Sequence, residues 1–151
     1  NATVSGGADD DILYTTVTGI TNLTFSGDDG FDILRNTGSI SGLNFGGGAD
    51  DDILENVGSI LGTLNFGGDD GVDVLTNTGM IGTLVFGGGA DDDIFVNNGT
   101  VATRLSFGGD DDILLSGAGT VGSLVFGGDA GADIFANLGT ITSLTFAGGA
   151  D

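Results

Sequence analysis

Chemistry in this sequence is concentrated in one residue type. All 21 Asp lie in Gly-rich turns that recur about every twenty residues, and none lies elsewhere in the repeat. The turns come in two kinds that nearly alternate. One reads G-G-A-D-D-D-I, at Gly6 to Ile12, Gly47 to Ile53 and Gly88 to Ile94. The other reads G-D-x-G-x-D-[IV], at Gly27 to Ile33, Gly68 to Val74 and Gly128 to Ile134. Aligned, the acids of the first kind take positions four and five and those of the second kind take two and three, so neighbouring turns interdigitate their charge. Position six alone is always acidic: Asp11, Asp32, Asp52, Asp73, Asp93, Asp112 and Asp133.

If successive turns stack, these carboxylates form a row at roughly 4.8 Å spacing. Two unit charges that far apart repel by about 0.9 kcal/mol in water and about 3.5 kcal/mol at an effective dielectric of 20. Several such contacts per turn would consume much of a domain stability of about 5–15 kcal/mol. Hard cations with oxygen ligands offset such repulsion, and Ca²⁺ takes six to eight oxygens from carboxylates and loop carbonyls. The unbroken column is therefore the expected Ca²⁺-binding line, with support from Asp28, Asp50, Asp69, Asp91, Asp110 and Asp129. The competing reading has the carboxylates cap backbone N–H groups of the Gly-rich turns and stay solvated, screened by monovalent ions.

The remaining composition excludes more than it offers. There is no His, Cys, Lys or Pro, and the net charge is -20. No zinc site of the usual ligands, thiol nucleophile, Ser-His-Asp triad or disulfide framework can be built. Arg35 and Arg104 are too few for a nucleic-acid, phosphate or anionic-lipid footprint, and Arg35 is expected to offset the acidic edge. No apolar run approaches the eighteen residues of a membrane span, so no membrane insertion is expected, and the first residues do not read as a signal peptide.

What must position the Asp column is a repeat. The aromatic before each turn recurs at Phe25, Phe45, Phe66, Phe86, Phe107, Phe126 and Phe146, with Val4 in the same place in a first, partial unit. Gly falls too often for helices, and Leu and Phe two apart fit one face of a short strand. A twenty-residue unit cannot bury its apolar face alone, but stacked units can. The expected fold is all-β: a parallel β-solenoid of about seven coils of 19–21 residues, a single domain over 1–151 with uncapped ends. A second inward column is expected at positions 13, 34, 54, 75, 95, 114 and 135, filled by Leu or Phe. A polar column, Asn36, Asn56, Asn77, Asn97, Ser116 and Asn137, is expected to hydrogen-bond along the stack. Gly38, Gly58, Gly79, Gly99 and Gly139 follow at a turn expected to need positive φ. The unit from Phe107 to Val121 is two residues short in its acidic turn and one long after Ser116, which predicts local irregularity there.

The second kind of turn resembles the calcium-binding nonapeptide of repeats-in-toxin (RTX) proteins, G-G-x-G-x-D-x-U-x with U a large apolar residue, at Gly27 to Arg35, Gly68 to Thr76 and Gly128 to Ala136. That resemblance implies Ca²⁺ at Asp32, Asp73 and Asp133, and more weakly at Asp11, Asp52 and Asp93. RTX coils carry two nonapeptides, whereas each coil here carries one. The other half, N-x-G-[ST]-I-x-x-L-x-F, resembles the passenger repeats of bacterial autotransporters and related adhesins.

The expected function is a structural or interaction module: an extracellular or bacterial cell-surface stalk, adhesin or matrix-fibre segment stabilised by Ca²⁺, with surface or glycan partners. A self-assembling filament subunit, stacked end to end as a homopolymer without metal, is the alternative. Ice binding by Thr and Ser rows is interrupted at Met80 and Arg104. A polysaccharide-acting enzyme lacks a base and a cationic cluster, so no enzyme is expected.

Overall fold

The computed structural model describes residues 1–108, 113–127 and 131–147. Each coil contributes one long and one short strand. The long strands β1 (Ala2–Gly7), β3 (Thr18–Asp29), β5 (Ser39–Ala49), β7 (Ser59–Asp69), β9 (Met80–Gly89), β11 (Thr100–Gly108), β13 (Thr120–Gly127) and β15 (Thr140–Ala147) form one sheet in that order. The short strands β2 (Ile12–Thr15), β4 (Ile33–Asn36), β6 (Ile53–Asn56), β8 (Val74–Asn77), β10 (Ile94–Asn97), β12 (Ile113–Ser116) and β14 (Ile134–Asn137) form the other. Both sheets are parallel throughout, so the chain is a parallel β-solenoid.

Strand alternation decides which residues meet inside. From the long strands of the middle coils Ile40, Leu43 and Phe45, Ile60, Leu64 and Phe66, and Ile81, Leu84 and Phe86 point inward, and from the short strands Leu34, Leu54, Leu75, Phe95 and Leu114 do, all essentially inaccessible to solvent. The Ile or Val that opens each short strand faces out, where a β-branched side chain suits a pleated surface. Because the register pairs Phe25, Phe45, Phe66 and Phe86 in succession, their rings stack at 5.2, 4.8 and 4.7 Å, within 11° of parallel.

Coil length varies, yet the columns hold their register. Ile40 and Leu43 are three apart where Ile60 and Leu64 are four apart, and the extra residue is taken up in β-bulges of the long strands between these positions. The Phe, Asn and Asp columns are thereby kept in line despite the alternation of coil length.

The polar column is also inside. Asn36 donates from Nδ2 to Asn56 Oδ1, Asn56 to Asn77 and Asn77 to Asn97, each at 2.8 Å and fully buried. Thr15 Oγ1 occupies the same place in the first coil and donates to Asn36 Oδ1 at 2.8 Å. The expectation of positive φ at Gly38, Gly58, Gly79, Gly99 and Gly139 is corrected: none of them adopts it. A Cβ at Gly58, Gly79, Gly99 or Gly139 would instead collide with the carbonyl oxygen of Gly38, Gly58, Gly79 or Gly119 in the preceding coil. Close approach of coils, not backbone handedness, demands glycine there.

The two faces of the chain predict opposite mutational costs. Truncating Phe66, at 1% exposure within the stack, to Ala should cost about 3–5 kcal/mol. The same change at Phe31, 37% exposed on the acidic edge, should stay within about 1 kcal/mol. Denaturant unfolding of the two variants checks this.

Candidate functional site: the acidic edge

Both kinds of acidic turn have the same backbone. In the turns that open at Gly27, Gly47, Gly68 and Gly88, positions two and four are left-handed: Asp28 (φ 79°) and Gly30 (108°), Gly48 (118°) and Asp50 (74°), Asp69 (80°) and Gly71 (107°), Gly89 (112°) and Asp91 (76°). The kinds differ in which of the two positions is Asp. A Cβ at Gly48 or Gly89 would strike the carbonyl oxygen of Asp28 or Asp69, and one at Gly30 would come within 2.9 Å of the Asp9 carbonyl carbon. Asp28, Asp50 and Asp69 are therefore each followed, one coil on, by a position that only Gly can fill. The two-coil alternation, which the sequence presents as charge interdigitation, also has this steric cause. Asp serves as the partner because it tolerates the left-handed region better than most residues.

The sixth-position column lies inside the coil wall. Asp32, Asp52, Asp73 and Asp93 are completely buried, and Asp11 is partly so. Each carboxylate accepts the backbone N–H of its equivalent in the preceding coil. Asp11 donates to Asp32 Oδ1 at 2.8 Å, Asp32 to Asp52 at 2.7 Å, Asp52 to Asp73 at 2.9 Å and Asp73 to Asp93 at 2.8 Å. The result is a ladder of carboxylate–amide bonds of the stronger, charge-assisted kind when the acid is ionised.

The second oxygen is handled differently. Oδ2 of Asp32, Asp52 and Asp73 is buried without a hydrogen-bond partner. It rests against the Cα of the glycine that opens the same turn, Gly27, Gly47 or Gly68, in the place a Cβ would take. The first glycine of each turn is thus fixed by the Asp five residues later, a pairing visible in the sequence only as spacing.

Burial raises the Asp32 carboxyl above its ordinary value, takes Asp52 to about 7 and takes Asp73 to about 8, and the neighbouring Asp charges add to the effect. The N–H bonds oppose it without cancelling it. Asp28 moves the other way, lowered by the hydroxyls of Ser26 (2.8 Å) and Ser5 (2.9 Å).

The outer acids also meet backbone N–H groups. Asp10 Oδ1 accepts from Phe31 at 3.1 Å, Asp51 Oδ1 from Val72 at 2.8 Å and Asp91 Oδ2 from Gly71 at 3.3 Å. Asp10, Gly30, Phe31, Asp50 and Asp51 line an open groove across three turns. Among the described residues no three acidic side chains converge closely enough to hold an ion as they stand. Asp28, Asp50, Asp69 and Asp91 lie on this edge, each in the left-handed backbone described above. Asp133 occupies the column position of its coil, while Asp110, Asp112 and Asp129 lie outside the described residues. Outside them too lies the short turn that carries Asp110 and Asp112, beyond Gly108.

Arg35 does not offset this edge. It faces outward on β4 and pairs with Glu55 on β6 at 2.9 Å, with both side chains about 40% exposed (43% and 38%), a contact worth about 0–1 kcal/mol. On the long sheet Met80 stands between Ser59 and Thr100, and Arg104 between Thr83 and Ser123.

No protein-family model matches the chain, and no curated protein or solved structure shows significant similarity to it. The class rests on the architecture itself: a two-sheet parallel β-solenoid with an acidic edge.

Two outcomes test this geometry. Gly48→Ala should destabilise by about 3 kcal/mol or more, adding a left-handed non-Gly residue to a backbone collision. Asp50→Gly, at a site already left-handed, should stay within about 1 kcal/mol, since relief of strain offsets added unfolded-state freedom. Thermal or denaturant melts of both compare them directly. The second outcome concerns pH. The folded column binds protons more tightly than the unfolded chain, so stability should rise as pH falls from above about 8 towards the ordinary carboxyl range. In chelator, melts at pH 9 should give a lower midpoint than at pH 5, and Asp52→Asn should flatten the difference.

Proposed function

We propose that this chain is a structural segment of an extracellular or bacterial cell-surface β-solenoid, a stalk, adhesin or matrix-fibre element, whose acidic edge takes up Ca²⁺. The observation carrying this reading is the buried Asp column in which Asp32, Asp52 and Asp73 each keep one oxygen without a hydrogen-bond partner. The donor set is carboxylate and loop carbonyl oxygen only, which suits a hard cation. Asp11, Asp32, Asp52, Asp73, Asp93, Asp112 and Asp133 supply the inner line, with Asp28, Asp50, Asp69, Asp91, Asp110 and Asp129 assisting. Binding requires the exposed outer carboxylates to turn from their backbone partners towards that line. Bound Ca²⁺ supplies the positive charge that the edge otherwise lacks.

The structural role follows from shape and composition. Among the described residues the interior is filled by side-chain columns, and no nucleophile–base pair or cationic cluster accompanies the acids. Sites of this kind on extracellular modules have dissociation constants of about 10⁻⁴–10⁻³ M, filled by the millimolar calcium outside a cell and not by the cytosol. Ca²⁺ then stabilises the folded segment by mass action after export.

Calcium titration of chelator-treated protein tests this. At ten times the dissociation constant each site contributes roughly 1.4 kcal/mol, or a rise in melting temperature of roughly 3–6 °C. The rise should be larger at pH 8 than at pH 5, where protonated acids cannot bind, and smaller in Asp52→Asn. No response at millimolar Ca²⁺ beyond that of matched ionic strength would remove the cation and leave the carboxylate–amide ladder alone holding the edge.

A further inference from the structure

The column of buried amides is continuous from Asn36 to Asn97 and then fails. Asn97 is in register with Ser116, whose side chain is too short to replace the amide. Asn97 Nδ2 and Ser116 Oγ are both buried, and neither has a hydrogen-bond partner. In the coils before this joint each Asn carbonyl oxygen accepts two N–H groups of the next coil. Val57 and Gly58 bind Asn36, Thr78 and Gly79 bind Asn56, and Asn98 and Gly99 bind Asn77. At the joint Asn97 O accepts from Gly117 at 2.9 Å, and the second bond is missing among the described residues.

The cause is legible in the chain. Five residues separate Ser116 from Val121 where four separate Asn97 from Val101. The extra residue brings Gly119 against the Asn97 amide, so close that a Cβ there would lie 2.6 Å from Nδ2. The aromatic column changes character beyond the same joint: the rings of Phe25 to Phe86 stack within 11° of parallel, but Phe126 and Phe146 are tilted by 31°. Backbone pairing continues through the joint in both sheets, and Phe95 and Leu114 stay packed in the core across it, so what the joint lacks is the amide column.

We propose that the contact between the coils of Asn97 and Ser116 is a built-in breakpoint, at which the solenoid opens as two blocks. Cooperativity between coils comes from the nearest-neighbour interface, and the amide part of that interface, kept at each joint from Asn36 to Asn97, is lost from this joint onward, since Ser116 Oγ reaches neither Asn97 nor Asn137. Coils after the joint open together while those before it stay closed, so a segment under load yields length from one side without losing the other. The inference does not depend on cation binding at the acidic edge.

Native-state hydrogen exchange of the whole chain in chelator, resolved by peptide, tests it. Amides of β12 and β14 should exchange as one group, at least tenfold faster than those of β8 and β10, with a step at the joint. Asn56→Ser should install a second step upstream, so that β2 and β4 exchange together and faster than β8. Ser116→Asn, with Ala118 removed to restore the spacing, should reduce the native step at least tenfold. A smooth gradient of protection inward from the ends would overturn the proposal. So would a folded Asn56→Ser chain with unchanged exchange, even where the Ser116 variant fails to fold.

Discussion

Coils of a parallel solenoid sit about 4.8 Å apart, so the nearest neighbour of each side chain is its own equivalent in the next coil. Every column must therefore be a residue type that packs against itself. Phe stacks ring on ring, Leu and Ile interdigitate, and Asn satisfies itself because its amide carries a donor at one end and an acceptor at the other. This self-compatibility gives the interior its regularity. It also makes a single misfit, Ser116 below Asn97, felt on both sides of the joint.

Asp is the residue type least suited to the constraint, since it is an acceptor only when ionised. The fold resolves half of the difficulty with backbone. Each inner Asp accepts the N–H of its predecessor through Oδ1, so the column alternates carboxylate and amide instead of setting carboxylate directly against carboxylate. The other oxygen remains buried against glycine. That residual cost is why the carboxyls hold their protons more tightly inside the wall, and it is the ground on which a cation is proposed for the edge. Charge stability and backbone packing are decided by the same atoms.

The turns show how sterics and electrostatics can produce one pattern. In the left-handed region a Cβ at Gly48, Gly71 or Gly89 would run into the backbone of the left-handed Asp one coil earlier, so these positions take glycine. Alternating Asp28, Gly48, Asp69 and Gly89 satisfies this rule, and alternating Gly30, Asp50, Gly71 and Asp91 satisfies it again. Separation of like charges comes with it. Pattern alone cannot distinguish the two causes, because both require alternation with a period of two coils.

By itself the sequence determined the repeat, the parallel solenoid, the inward Phe and Leu columns, the hydrogen-bonding Asn column and the confinement of Asp to one edge. These depend on period and side-chain type, which a linear string carries without loss. The tertiary structure decided what period cannot encode: that the unbroken Asp column lies buried within the wall with one oxygen on a backbone N–H, that Arg35 turns away to Glu55, and that Gly58 and its equivalents answer to a carbonyl in the coil before. Each is a matter of which side of the backbone an atom occupies and how near the next coil comes. Those distances exist only once the coils are stacked.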